Sequence, residues 1–335
     1  MNNQYNGHLC IVFALEHYNP LNMIRALGEN GINPIYISVK RRYEVATKSK
    51  YISKLFRVDS VPEGFSLLME KYGCLVEETG KKPYIVFSDD KSVGYFDEHY
   101  DEWKDKFITY NAGSSGRINK FMDKYRIQQL AKKHGFNVLD SYVVSKKDKL
   151  PENLWYPIIT KDISPNSGSW KGDVYICQNE KELKEAIVKI ESPLVMIQHF
   201  VDKQNEMALE GYTINKGKEM QIITEMKWKY LIQGYYSPYH DVKMFEDKDM
   251  EAKLQAMFEV EFLIDKDGTY YFMETNFRAS AWNPTCKFAG MPLPYLWIKG
   301  MENGCVDPAD RKKFEPFTSM SEVIDYAKRV EGGMC

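Results

Sequence analysis

The chain has 335 residues, 44% of them hydrophobic and 27% charged, which is enough for about two domains with real cores. Its 45 Lys and Arg against 47 Asp and Glu leave a net charge of −2, so no global field favours a polyanion and nucleic acid is excluded as the principal partner. No apolar run approaches the roughly 20 residues of a membrane span, and the opening MNNQYNGHL lacks a basic segment followed by a long apolar one; the expectation is a cytoplasmic protein with no membrane partner. The six cysteines are scattered without a Cys-x-x-Cys pair, which argues against a disulfide framework and a structural zinc.

In chain order, His8 to Leu15 is a short, continuous, β-branched run, the pattern of a strand buried on both faces of a parallel sheet. Pro20 to Gly28 reads as a helix, Pro34 to Ser38 as a second strand, and Pro83 to Ser88 as a third that ends in Asp89-Asp90. Residues 1 to about 112 therefore form one α/β domain. Its ligand edge lies at the carboxyl ends of the strands, at Glu16-His17-Tyr18-Asn19 and Ser88-Asp89-Asp90. Asn111 to Gly116 is a connector, and Asn119 to His134 has helical spacing. From Asn137 come three strands, a helix (EKELKEAIVKI) and a further strand, PLVMIQHF. Long strands follow over MALEGYTI, GKEMQIITEM and KYLIQGYY, then a helix at about Asp249 to Met257. A hairpin comes next: Val260 to Ile264 turns at Asp265-Lys266-Asp267-Gly268 into Tyr270 to Glu274. The tail from Lys312 reads as a terminal helix.

Two groups of residues carry chemistry. The hairpin sets Glu261 and Glu274 at similar heights on neighbouring strands, with Asn276 on the same face as Glu274. Three hard oxygen donors on rigid strands suit Mg²⁺, against the bland alternative of a solvated acidic face; Arg278, two residues on, can neutralise them or hold an anion. The second group is Lys161, at the end of the apolar strand Tyr156 to Thr160, and the loop from Asp162 to Gly172, rich in Ser and Gly and hence in backbone donors. Taken singly, such a lysine is usually a surface residue and such a loop only a turn. No Walker A loop or dinucleotide fingerprint is present.

The ordered set Asp123-Lys124, strand-terminal Lys161, the loop 164–172, Ile197 to Val201, Glu206, Glu261 and Met273-Glu274-Thr275-Asn276-Phe277-Arg278 resembles the ATP-grasp superfamily. Within it the nearest branch is that of the carboxylate–amine ligases, D-aspartate ligase-like and carbamoyl-phosphate-synthase-like. The resemblance covers nearly the whole chain. It implies a mixed α/β and α+β protein, an ATP-grasp fold behind an N-terminal Rossmann-like (pre-ATP-grasp) domain. Residues 1–112 would form that N-terminal domain, 113–197 the linker helix and lid, and 198–335 the core carrying the hairpin. It further implies ATP and Mg²⁺ as cofactors, with Mn²⁺ as a substitute. Lys124 and Lys161 would meet the phosphates, Ser167, Gly168 and Ser169 would close over them, Gln198, His199, Phe200 and Val201 would receive adenine through backbone groups, and Glu206 would hold the ribose. Glu261, Glu274 and Asn276 would bind the metal, and Arg278 would act with Lys161 on the transferring phosphoryl group. The lid loop is poorer in glycine than is usual there, and His199 stands where an acidic residue is common.

The activity this resemblance implies is that of an ADP-forming ligase, which phosphorylates a small acid, an amino acid or peptide, and joins it to an amine. The alternatives are an ATP-grasp kinase acting on a hydroxyl and a nucleotide-binding regulatory protein without turnover. The resemblance is compatible with a homodimer. Asn19, Asp89 and Lys227 are the expected substrate residues on the far wall of the cleft, while His199, His240 and Cys286 read as packing residues.

Overall fold

The computed structural model describes residues 2–41, 44–163, 174–230, 237–254, 259–321 and 325. Ser167, Gly168 and Ser169, most of the stretch KYLIQGYY and nearly all of the tail beyond residue 321 lie outside them.

Among the described residues, strands β1 (Gln4–Tyr5), β2 (His8–Leu15), β3 (Ile35–Val39), β4 (Lys54–Val58) and β5 (Tyr84–Phe87) form the first sheet. The strands β2 to β5 are parallel, with β3 and β4 on one side of β2 and β5 on the other. The carboxyl ends of β2 and β5 therefore make a topological switch point, the place where open parallel sheets expose a binding crevice. β2 is buried from His8 to Ala14, as its uninterrupted apolar run requires. One face of the sheet, with Ile11, Phe13, Ile37 and Phe87, packs against helices Val61–Tyr72 and Asp90–Glu98. The other face, with Val12, Ala14, Tyr36 and Val86, shares a core with Tyr212, Cys286 and Trp297 far along the chain.

A second, antiparallel sheet contains β6 (Ser141–Ser145), β7 (Ile158–Asp162), β8 (Ile176–Cys177) and β9 (Leu194–His199) in the order β6-β9-β7-β8. Helix Glu180–Lys189 covers it through Leu183, Ala186 and Ile187. The third sheet has β10 (Lys203–Ile214), β11 (Glu219–Trp228), β12 (Tyr239–Met244), β13 (Glu259–Asp265), β14 (Tyr270–Asn276) and β15 (Phe317–Met320), all antiparallel, in the order β14-β13-β10-β11-β12-β15. A bulge in β11 leaves Ile223 unpaired opposite the Glu210–Gly211 step of β10, and there a Cβ on Gly211 would come 2.5 Å from the carbonyl oxygen of Gln221; glycine is required by that close approach. Met207, Leu209, Phe262 and Phe272 on one face of this sheet pack against Ile127 and Ala131 of helix Lys124–Lys133.

Three expectations change. β4 and helix Val61–Tyr72 were not anticipated. The helical stretch 119–134 is two helices, Arg117–Met122 and Lys124–Lys133, because Asp123 caps the second by accepting from Arg126 N at 2.9 Å. The tail, expected as a helix from Lys312, first contributes strand β15, whose Phe317 to Met320 pair with Val242 to Tyr239; of the residues after 321 only Asp325 is described, and it is helical. Among the described residues no helix is long and apolar enough to cross a membrane.

Candidate active site

The hairpin of β13 and β14 sets the site. Asp265 organises its turn by accepting from Asp267 N and Thr269 N, both at 2.9 Å, and Gly268 takes a φ of +79° that a side chain would resist. Register then pairs Glu261 directly with Glu274, because the ladder skips Met273 between this pair and Phe262–Phe272. Directly opposed carboxylates repel, and their neighbours offset this. Lys124 Nζ lies 3.4 Å from Glu274 Oε2, and Asn276 donates from Nδ2 to Glu261 Oε1 at 3.0 Å. The Lys124 charge, aided by Lys161 and Arg278, holds the Glu274 carboxyl below its ordinary range against the opposing effect of burial. Reciprocally, Glu274 raises Lys124.

Lys161 approaches from β7 of the second sheet. Its Nζ donates to Gln198 Oε1 on β9 at 2.9 Å, Gln198 Nε2 donates to Gln128 Oε1 at 2.9 Å, and Gln128 Nε2 donates to the carbonyl of Met273 at 3.0 Å. This buried amide relay joins the lysine to the strand that carries Glu274. Lys161 has a neutral amide partner, and burial, followed by the charge of Lys124, pulls its pKa down to about 8. Lys124 N also donates to Ile163 O at 2.9 Å, so the helix that presents Lys124 is tied to the end of β7.

Arg278 completes the group. It donates from Nε and Nη2 to the two oxygens of Asp90 at 3.1 and 3.3 Å, and from Nη2 to Asn276 Oδ1 at 3.1 Å. Asp90 stands at the carboxyl edge of the first sheet, the strand end that the sequence singles out, but the expected ligand there was its neighbour Asp89. Further along, Ser280 Oγ donates to Glu210 and accepts from Trp282 N at 2.9 Å.

The structure brings together Lys124, Lys161, Gln198, Glu261, Glu274, Asn276 and Arg278. Glu206 lies on β10 on the same sheet face as Glu261, by alternation from the Ala208–Glu261 pair, and is ion-paired with Lys203 at 2.7 Å. At the hinge, His199 N donates to Asp140 O at 2.9 Å and Phe200 N to Pro157 O at 3.0 Å, so those two backbone donors are engaged within the protein and do not offer themselves to a base; Val201 comes directly after them.

Two substrate residues are corrected. Asp89 caps helix Asp90–Glu98, accepting from Ser92 N at 2.8 Å and Ser92 Oγ at 2.9 Å, and also accepts from Leu15 N at 2.9 Å; its oxygens are structural. Lys227 pairs with Met207, which pairs with Phe262, whereas Glu261 shares its face with Ala208 and Met226. Successive residues of a strand alternate faces, so Lys227 points away from the hairpin carboxylates, and there it binds Tyr270 OH at 2.6 Å and Glu225 at 3.1 Å. Asn19 stays at the carboxyl edge of the first sheet, with a buried Oδ1. His240 is a buried packing residue against Trp282, with ring centroids 3.9 Å apart.

Among the described residues no three His, Cys, Asp or Glu side chains converge to hold a metal. Two carboxylates and the Asn276 amide nonetheless suit Mg²⁺, which keeps water and phosphate in the rest of its coordination sphere.

No family model and no curated protein sequence matches the chain. Solved structures do. An L-amino acid ligase from Bacillus licheniformis superposes with a TM-score of 0.70 at 10% identity, over 94% of this chain and 80% of that one. The N5-carboxyaminoimidazole synthetase of Staphylococcus aureus gives 0.65 at 15% identity, over 98% of each chain. The biotin carboxylase domain of Hydrogenobacter thermophilus 2-oxoglutarate carboxylase, solved as a dimer with MgADP, ADP and bicarbonate, gives 0.66 at 17% identity, over 92% of this chain and 73% of that one. At these identities the likeness is one of fold, and the fold of this chain is the ATP-grasp fold.

Proposed function

We propose that the protein is an ATP-dependent, ADP-forming carboxylate–amine ligase. The observation that carries this reading is the register-paired Glu261 and Glu274 with three cationic side chains, Lys124, Lys161 and Arg278, delivered around them from separate elements. Such an arrangement matches a polyphosphate bridged through a divalent cation. The ATP-grasp fold supports it, as do the amino acid ligase among the similar structures and the MgADP held by the biotin carboxylase domain.

In this reading Glu261, Glu274 and Asn276 hold Mg²⁺, with Mn²⁺ as a substitute, and the ion offsets phosphate charge. Lys124 and Lys161 bind the phosphates of ATP, and Glu206 holds the ribose after parting from Lys203. A carboxylate oxygen of the acid attacks the γ-phosphorus and ADP departs. The amine nitrogen then attacks the acyl carbon, phosphate leaves with one former carboxylate oxygen, and the nitrogen loses a proton as the amide forms. Arg278 offsets the charge on the transferring phosphoryl group, so the protein contributes positioning and electrostatics. The small acid and amine enter at the switch point beside Asn19. The division of the chain at about residues 112 and 197, a cytoplasmic setting and a homodimer belong to the same proposal.

A coupled ADP-release screen of the purified protein against pools of amino acids tests it. Release that requires both an acid and an amine supports the ligase; release with a hydroxyl compound alone would point to a kinase.

A further inference from the structure

The three residues that follow Asn276 are stitched to the carboxyl end of β5. Phe277 packs against the core between the first sheet and helix Asp90–Glu98, Arg278 forms its two-toothed pair with Asp90, and Ala279 N donates to Phe87 O at 3.1 Å. The metal hairpin and the ligand edge of the N-terminal sheet therefore share one seam, and Arg278 is the charged member of these three residues.

Asp90 does not need Arg278 for its own helix. It is the first residue after the Asp89 cap, where a carboxylate is already favoured by the unpaired N–H groups of the first turn. Arg278 does depend on Asp90. Its guanidinium lies close enough to Glu274 to act on that carboxyl and already touches Asn276. Without a carboxylate on the Nε–Nη2 edge, the two-toothed anchor is gone and the guanidinium is left within the pull of the Glu274 carboxyl, on which it already acts. The cation would swing onto the oxygens proposed to hold the metal. A two-toothed arginine–carboxylate pair fixes both the plane and the direction of the guanidinium.

We infer that Asp90 is a positioning residue: it holds Arg278 off the hairpin carboxylates and aims it at the γ-phosphoryl position. This rests on the ligase reading.

The test compares the affinities of the intact protein for MgADP and for the magnesium complex of the β,γ-imido analogue of ATP, by calorimetric titration. Their ratio isolates what the γ-phosphoryl group contributes. Arg278→Ala is expected to lower the ratio about tenfold or more, the scale of one charge-assisted hydrogen bond. Asp90→Asn should lower it comparably with little change in MgADP affinity, Asp90→Glu should restore much of it, and the double variant Asp90→Asn/Arg278→Ala should be no worse than Arg278→Ala alone, because the two act as a unit. An unchanged ratio in Asp90→Asn, or losses that multiply in the double variant, would overturn the inference. Equal losses for both nucleotides with a lower melting temperature would reduce Asp90 to a structural role and overturn it as well. A wild-type protein that binds neither nucleotide would instead overturn the ligase reading, and the inference with it.

Discussion

Gln128 donates to the carbonyl oxygen of Met273 at 3.0 Å, and Met273 is the residue that the hairpin register steps over between the Glu261–Glu274 and Phe262–Phe272 pairs. The bulge turns a strand carbonyl toward a helix, and Gln128 then passes the constraint through Gln198 to Lys161. A backbone irregularity thus sets the height of the carboxylate relative to the lysine.

Gln128 is 1% exposed, so Gln128→Leu leaves the Met273 carbonyl and the Gln198 amide without their buried partner. The expected cost is about 1–3 kcal/mol of stability, read from the midpoint of urea unfolding, with weaker nucleotide binding beside it. Wild-type stability in this variant would mean that the relay carries no strength.

Glu274→Gln keeps the shape of the side chain and removes the charge. Magnesium-dependent nucleotide affinity should fall by at least about tenfold, the minimum expected for a lost charged ligand, while the variant still folds cooperatively. Titration of ADP with and without Mg²⁺ checks this; an undiminished magnesium effect would remove Glu274 from the metal set.

Lys161 has a pKa lowered to about 8 by burial and by Lys124, below its ordinary value near 10.4. The charged form is the one that meets a phosphate, so raising the pH through about 8 should weaken ATP binding, and binding near pH 8 should take up a proton. Calorimetry in buffers of different ionisation enthalpy measures that uptake. Lys161→Arg, which stays charged, should flatten the pH dependence between 7 and 9, and a profile identical to wild type would place the titration elsewhere.

Asp89→Ala removes a helix cap and should cost about 1–2 kcal/mol of stability, with nucleotide affinity close to wild type. Lys227→Met, on the opposite face of the sheet from Glu261, should leave both MgADP affinity and ADP release nearly unchanged. Thermal melts and titrations of the two variants check this pair; a specific loss of turnover in Lys227→Met would put that lysine back in the site.

The hairpin was legible because its signals are local: alternating apolar residues around an Asp-Gly turn announce two neighbouring strands with Glu261 and Glu274 near each other, but unbroken counting from Ile264–Tyr270 would set Glu261 opposite Met273, and it is the bulge at Met273 that puts Glu274 there. The face of Lys227 was not, since it depends on how β10 aligns β11 with β13, a register that no short-range pattern encodes. Asp89 carries a readable cap signature directly before a helix, and that signature, not the strand end it follows, accounts for its carboxylate. The helix from Val61 was likewise announced by the Ser-x-x-Glu spacing of a capping box, Ser60 to Glu63; Ser60 accepts from Glu63 N at 3.3 Å, and Glu63 accepts from Asp59 N, one residue before the cap, at 2.8 Å. β4 was hidden by its short, charge-flanked stretch Lys54-Leu-Phe-Arg-Val. The relay through Gln128 and the pair of Arg278 with Asp90 join residues 145 and 188 positions apart and emerge only in three dimensions.

The central claim is that a substrate carboxylate takes the γ-phosphoryl group before an amine displaces it. Once the release screen has identified an acid, that acid labelled with oxygen-18 in its carboxyl group decides the matter by mass spectrometry of the released phosphate. The account predicts one labelled oxygen in each phosphate, with the amide product retaining the other. Phosphate free of label would contradict it, because the carboxylate would then never have been bonded to phosphorus.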